Sequence, residues 1–411
     1  MTTPSHPAIA LENQFCAHNY FPLEVVLSRG EGIYAWDDSG KRYLDMMSAY
    51  SALSFGHAHP RLIAALTDQA KRLALTSRAF YSDQLGPFLK RLCEVTGQDV
   101  ALPMNTGVEA VETAIKAARK WAYTVKGVPE GMAEIICCEG NFHGRTTTIV
   151  GFSSEPAYRD SFGPFAGGFK RIAYGDAKAF AAAITAHTAA FLVEPIQGEA
   201  GIIVPPAGYL AECARLCREH NVLLLADEVQ TGLGRAGKLL ACEYENVKPD
   251  GLMLGKALGG GLLPVSAFLA RREVMDVFQP GDHGSTFGGN PLGARVGLES
   301  LNLLMEEKLW ERSAELGDYF MAKLKALNSP LIREVRGKGL LIGIDIDASF
   351  ATARQVCERL LNYGILTKDT HHSVVRFAPP LIIQKTDLDW ALEQIQMVLN
   401  EIERLRLQKR A

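Results

Sequence analysis

The sequence predicts an α/β protein, with a large domain on a mostly parallel sheet followed by a smaller α+β domain. Three observations carry this. Between about residues 60 and 300, apolar runs of four to six residues alternate with helical patterns. Strands apolar on both faces belong to sheets covered by helices on both sides. These runs end in charged or glycine-rich segments, as they do where ligands bind at the carboxyl ends of parallel strands. In the last quarter the pattern changes to shorter, alternating strands.

Residues 1–50 read as irregular, apart from a hairpin around Gly32–Trp36 and Asp38–Tyr43. The strand candidates of the large sheet are Glu134–Cys138, Ala190–Val193, Val222–Ala226, Gly251–Leu254 and Pro264–Ala270, with helices at 177–187 and 206–220. A helical connector near 292–327 leads to a strand at Gly339–Asp347, a helix at 351–363, and strands at Ile365–Lys368 and Ser373–Ala378. The closing helix Thr386–Leu405 has Thr386 and Asp389 at capping-box spacing. The expected organisation is an N-terminal segment, 1–52, packing with the small domain, a large domain at 53–298 and the small domain at 299–411. Repeats and low-complexity linkers are absent, so the parts are expected to pack as one body.

At 411 residues, 47% hydrophobic and 22% charged, the composition is that of an ordinary globular protein. A net charge of −3 gives no electrostatic case for nucleic acid or an anionic membrane. No apolar run approaches the roughly 18 residues that span a bilayer. The first basic side chain is Arg29, which fits neither a signal nor a transit peptide. The eight cysteines lack a CxxC pair, and Cys213 and Cys217 are expected to be buried thiols on one helix face. A reduced, cytoplasmic protein is the expectation.

Lys256 follows the apolar run Leu252–Gly255 and opens the flexible stretch Ala257–Gly261, while the run Val222–Ala226 ends at Asp227. An acid and an amine delivered to one sheet edge point to a site, because a poorly solvated lysine has a lowered pKa and can form a Schiff base. Taken alone, such a lysine is more often a solvated loop charge. Asn105–Ala110 opens a helix whose Val111, Ala114, Ile115, Ala118, Trp121 and Ala122 share an apolar face. Thr106 and Glu109 have capping-box spacing, and a helix start entered through Gly107 suits a phosphate. A well-capped helix without a ligand fits the same pattern. No GxGxxG directly follows a strand candidate and no GxxxxGK[ST] occurs, so neither a dinucleotide fingerprint nor a P-loop is read.

Asn141–Thr146 follows another apolar strand: Phe142 could stack on a flat ring and Arg145 fork onto a carboxylate, or the two are a core phenylalanine and a surface arginine. Glu194 and Glu199, flanking Pro195–Gly198, read as a solvated turn or as counter-ions for an arginine. His57 and His59 have no Asp, Glu or Cys at ligand spacing, so no metal is expected.

Together, Asp227–Gly232, Lys256 after Leu254-Gly255, Asn105–Ala110 and His283–Asn290 resemble the class III, fold type I, pyridoxal-phosphate aminotransferases, in order over nearly the whole chain. The resemblance implies pyridoxal 5'-phosphate as cofactor, bound by the 53–298 domain, with Lys256 as the Schiff-base lysine. It further implies that Asp227 pairs with the pyridinium nitrogen, Gln230 bonds the phenolic oxygen, Val229 and Phe142 sandwich the ring, and Gly107 and Val108 offer N–H groups to the phosphate. Thr286 would reach the phosphate from the neighbouring subunit, which implies a homodimer, or a higher homo-oligomer, with shared active sites.

Tyr50–Ala52, Arg78–Tyr81, Val193–Gly201 and Arg376–Pro380 resemble the ornithine δ-aminotransferase branch of that family. That branch implies ornithine and 2-oxoglutarate as substrates. Tyr50 and Tyr81 would discriminate substrates, with a hydroxyl at Tyr50 recognising a free α-amino group. Arg145 would bind ornithine's carboxylate, and glutamate would use both Arg145 and Arg376. Glu199 would then neutralise Arg376 while ornithine is bound and swing away for glutamate; a static salt bridge is the alternative. Two departures stand beside matched positions: Leu53–Gly56 lacks an Asn-Gln-Gly form, and His143 stands where other members have tryptophan.

Overall fold

The computed structural model describes residues 6–410. Its centre is a seven-stranded sheet. The strands are β4 (Val100–Met104), β5 (Glu134–Cys138), β6 (Phe169–Ile172), β7 (Thr188–Val193), β8 (Leu223–Asp227), β9 (Gly251–Leu254) and β10 (Ser266–Ala270). Their order is β4-β10-β9-β8-β7-β5-β6, and only β10 runs antiparallel to its neighbours. Every residue of β7, β8, β9 and β10 is buried, as two-sided helical cover requires. Because β4, β5, β7, β8 and β9 point the same way, the segments opening at Asn105, Glu139, Glu194, Glu228 and Gly255 gather at one edge.

The helix Gly107–Trp121 starts with the expected capping box, since Thr106 and Glu109 exchange hydrogen bonds, and it buries the predicted apolar face. Two smaller sheets complete the fold. One joins β1 (Leu27–Glu31), β2 (Tyr34–Asp37) and β3 (Arg42–Asp45) to β13 (Ile365–Leu366), which pairs parallel with β3. The other, wholly antiparallel, orders β11 (Ile332–Lys338), β12 (Leu341–Ile346), β15 (Val374–Phe377) and β14 (Lys368–Thr370) as β11-β12-β15-β14. The N-terminal hairpin is therefore hydrogen-bonded to a strand more than 300 residues away in sequence, through Ile365 opposite Leu44.

Several local expectations are corrected. Residues Pro7–Phe15 form a helix that buries no side chain, so its periodicity carried no burial signal. The helix expected at 177–187 stops at Ala183, where Ile184 turns extended and the Thr188 hydroxyl receives the Thr185 N–H. The connector divides into two helices, Pro291–Glu306 and Leu309–Ala326, at left-handed Lys308. The last helix starts at Lys385. Its expected cap is not formed: Asp387 accepts the Gln384 N–H at 3.0 Å, and Asp389 instead accepts the Tyr319 hydroxyl. All eight cysteines are free thiols. Among the described residues, no helix is long and apolar enough to cross a membrane and no cluster of metal-ligating side chains occurs. His57 bonds Asp45 at 2.8 Å.

Candidate active site

The gathered strand ends enclose a cavity of about 170 Å³ lined by Gly107, Val108, Phe142, His143, Gly144, Glu194, Ile196, Asp227, Val229, Gln230, Thr231 and Lys256. The helix cap engages the N–H groups of Thr106 and Glu109, and Gly107 and Val108, the first helical residues, border the cavity beside it. A helix start of this kind is a ready anion site. Side chains are excluded there: a Cβ on Gly107 would lie 2.8 Å from Val229 Cγ1, and one on Gly144 2.4 Å from Val108 Cγ2.

Asp227 ends β8 as a buried carboxylate. Its Oδ1 accepts the Val229 N–H at 3.0 Å, and its Oδ2 lies 2.7 Å from Nδ1 of His143, which is fully buried. Burial works against charge on His143, yet the hydrogen bond to Asp227 and the nearby carboxylates outweigh it and raise its pKa. The imidazole thus holds the Asp227 carboxylate in place. Its Nε2 has no protein partner among the described residues. Glu194, in the same wall, accepts the Phe142 N–H at 3.0 Å; burial and Asp227 push it up to about 7, against the pull of His143.

Lys256 begins a 3₁₀ turn with φ 46°, a left-handed conformation uncommon outside glycine. Burial, reinforced by Arg376, lowers its pKa to about 8, with Glu199, Asp227 and Glu194 opposing. Nucleophilic attack needs the neutral amine. Recombination of cofactor-free protein with pyridoxal phosphate should therefore accelerate as pH rises through about 8 and level off above it. Stopped-flow absorbance measures this, and a rate still climbing towards pH 10 would contradict it.

A second group lies alongside. Arg376, on β15 and 1% exposed, donates from Nη1 to Glu199 Oε1 at 2.6 Å. Burial would raise the Glu199 pKa, but Arg376 foremost and Lys256 next hold it down at about 2. Gln230 joins the pair, its Nε2 donating to Glu199 Oε1 at 3.1 Å. The Tyr50 ring lies under the Arg376 guanidinium, 4.7 Å from Cζ to centroid. Tyr50 sits in the turn Ser48–Ser51, where all four residues have positive φ, at a cost of roughly 1–2 kcal/mol each.

Arg145 is exposed, its Cζ 3.5 Å from the Tyr158 ring centroid and 5.6 Å from that of Phe142. Tyr81 and Thr286 are exposed and line neither group. Sequence reading missed the contact of His143 with Asp227 and that of Tyr158 with Arg145. The signal for His143 was its place beside Phe142; Tyr158 lies 13 residues beyond Arg145 and carried none.

The fold and this site define an aminotransferase. The class-III aminotransferase family model matches residues 15–399, and the chain belongs to that family, whose members are pyridoxal-phosphate-dependent transaminases. Among its relatives is the ornithine aminotransferase of Brevibacillus brevis, 57% identical over 390 residues, covering 95% of this chain and 97% of that one. A solved ornithine aminotransferase from Toxoplasma gondii has TM-score 0.96 and 45% identity, covering 97% of this chain and 95% of that one. A solved acetylornithine aminotransferase from Elizabethkingia anophelis has TM-score 0.88 and 46% identity, covering 97% and 100%. The residues present fit the cofactor: an anion site, apolar walls and an acid lie around one partly buried lysine.

Proposed function

We propose that the protein moves the δ-amino group of L-ornithine to 2-oxoglutarate, giving glutamate and glutamate 5-semialdehyde, which cyclises to pyrroline-5-carboxylate. The observation that carries this reading is the Arg376–Glu199 pair with Tyr50 stacked on its guanidinium. The similarity to ornithine aminotransferases supports it.

Pyridoxal phosphate, when bound, supplies an electron sink for negative charge on the substrate carbon. Lys256 would hold it covalently, and its amine would take the proton from the substrate's δ-carbon. Asp227, held by His143, supplies the negative charge opposite the ring nitrogen. Phe142 and Val229 would flank its ring, Gln230 would bond its phenolic oxygen, and Gly107 and Val108 would hold its phosphate. Thr286 would hold the phosphate from a second copy of the chain, which would make the working unit a homodimer or a higher homo-oligomer. Large exposed apolar side chains, among them Phe80, Tyr81 and Phe287, support that pairing. We assign residues 1–52, 53–298 and 299–411 as its structural divisions and the reducing cytoplasm as its compartment.

Ornithine presents its amine to the cofactor and one carboxylate to Arg145. A second, unneutralised arginine would be a buried charge without a partner, so Glu199 stays on Arg376. Glutamate brings two carboxylates, and the second displaces Glu199. With Glu199→Ala, preference should shift from ornithine towards glutamate, and stability should fall by about 3–5 kcal/mol, the scale of an orphaned buried charge. The ratio of the two half-reaction efficiencies reads the first effect; an unchanged ratio would make the bridge static.

An acetylornithine reading has one observation in its favour, the similarity to a solved acetylornithine aminotransferase. The Tyr50 hydroxyl favours the free α-amino group of ornithine. Single-turnover absorbance changes with ornithine, acetylornithine, 4-aminobutyrate and lysine separate these readings, and a faster reaction with acetylornithine than with ornithine would reverse the choice.

A further inference from the structure

We propose that Asp45 is a positioning residue for substrate selection: its carboxylate clamps the left-handed turn Ser48–Ser51 and so holds Tyr50 on the Arg376 guanidinium. The proposal rests on the substrate reading of Tyr50 and Arg376 and extends it to a residue that lines neither part of the site. Ser48, Ala49, Tyr50 and Ser51 have φ of 50°, 45°, 61° and 77°. L-residues do not hold this conformation in succession by local preference, so the run persists only because its surroundings over-determine it.

The clamp has an entry and an exit. At the entry, β3 ends in Asp45, which is 5% exposed; Oδ1 accepts the N–H groups of Met47 and Ser48 at 2.9 and 2.8 Å, and Oδ2 bonds His57 Nε2 at 2.8 Å. His57 is fixed in turn by reciprocal backbone hydrogen bonds with Gly32, at 2.9 and 2.7 Å. Its ring packs so close to Gly30 that a Cβ there would lie 2.5 Å from Nδ1. At the exit, the Ser54 hydroxyl donates to Ser51 O and receives Arg235 Nη2, both at 3.3 Å. Arg235 is fully buried and also donates to the carbonyls of Leu340 and Pro379. The hydroxyls of Ser48 and Ser51 are buried with no partner among the described residues, so beyond the turn's own backbone hydrogen bonds it is Asp45 and Ser54 that hold it.

Both flanks of the turn are tied to the chain that leaves β15. Met46 O accepts the Ala378 N–H at 2.7 Å, and Ser54 O accepts the Leu381 N–H at 2.8 Å. Arg376 stands two residues before Ala378. Turn and arginine therefore move as one unit, and the Tyr50 hydroxyl is presented at a fixed place relative to the Arg376 guanidinium.

Steady-state and single-turnover kinetics of the holoenzyme test this. Asp45→Ala should raise KM for ornithine about tenfold while kcat stays within about twofold, the split expected when positioning rather than chemistry is lost. The cofactor absorbance should be unchanged. Asp45→Asn, whose amide oxygen still accepts the Met47 and Ser48 N–H groups, should restore KM. Butylamine, which offers Tyr50 neither an α-amino nor a carboxylate group, should react equally well with Asp45→Ala and wild type. An unchanged ornithine KM in Asp45→Ala, or an equal loss with butylamine, overturns the proposal. Should Asp45→Ala not fold, His57→Asn loosens the outer brace alone; it must raise KM by a smaller factor with kcat kept, and no change there also overturns the clamp. Tyr50→Phe separates the two layers. If it leaves the ornithine KM unaltered, the substrate reading itself fails, whereas a raised KM beside a normal Asp45→Ala removes only the clamp.

Discussion

Replacing Lys256 by alanine is expected to abolish the visible absorbance of the covalently held cofactor and to lower steady turnover by at least about 10⁴-fold, since one group serves as covalent anchor and proton carrier. Among the described residues no other lysine lines the cavity, so no neighbouring amine substitutes. The loss should be chemical rather than structural. Lys256 is a cation whose burial disfavours its charged form, and its removal leaves the surrounding Asp227, Glu194 and Glu199 with their hydrogen bonds to His143, Phe142 and Arg376. A variant with wild-type absorbance and rate would remove the lysine from the mechanism.

Asp227→Asn should cost on the order of 10²–10³-fold in the single-turnover rate, the range for one preorganised electrostatic group facing developing charge. The side chain keeps its shape, so the hydrogen bond from Val229 to its oxygen can persist. What disappears is the carboxylate charge proposed to face the ring nitrogen, and with it the upward pull on the His143 pKa. The variant should therefore bind the cofactor yet react slowly with ornithine, as stopped-flow absorbance would report. A drop below tenfold would mean that the acid serves packing alone.

The cofactor half of the site was largely legible in the sequence because it is built from contiguous segments. Asn105–Val108, Asp227–Gln230 and Lys256 each begin at a strand's end or within two residues of it, and a parallel sheet brings strand ends together by topology. The hydrophobic pattern marked most of those strands, although β4 and β6 went unread: β4 is only partly buried over its first three residues, and β6 is a polar, half-exposed edge. The substrate half was legible only by resemblance. Nothing in the spacing of Tyr50, Glu199 and Arg376 shows that they meet, since they come from three segments far apart in the chain. Their contact depends on Met46 and Ser54 bonding to Ala378 and Leu381 across more than 300 residues.

His143 shows the same limit at shorter range. Its residue type was visible, but its role depends on an imidazole buried within 2.7 Å of Asp227. By itself, then, the sequence determined the α/β class, the strand ends and the lysine, acid and capped helix start they carry. These follow from local burial patterns and short-range hydrogen bonding. The tertiary structure alone decided the ion pair of Arg376 with Glu199, the left-handed turn under Tyr50, and the buried contact of His143 with Asp227. Each of these balances a local cost, in backbone conformation or desolvation, against contacts from distant parts of the chain, and no local pattern in a sequence records that balance.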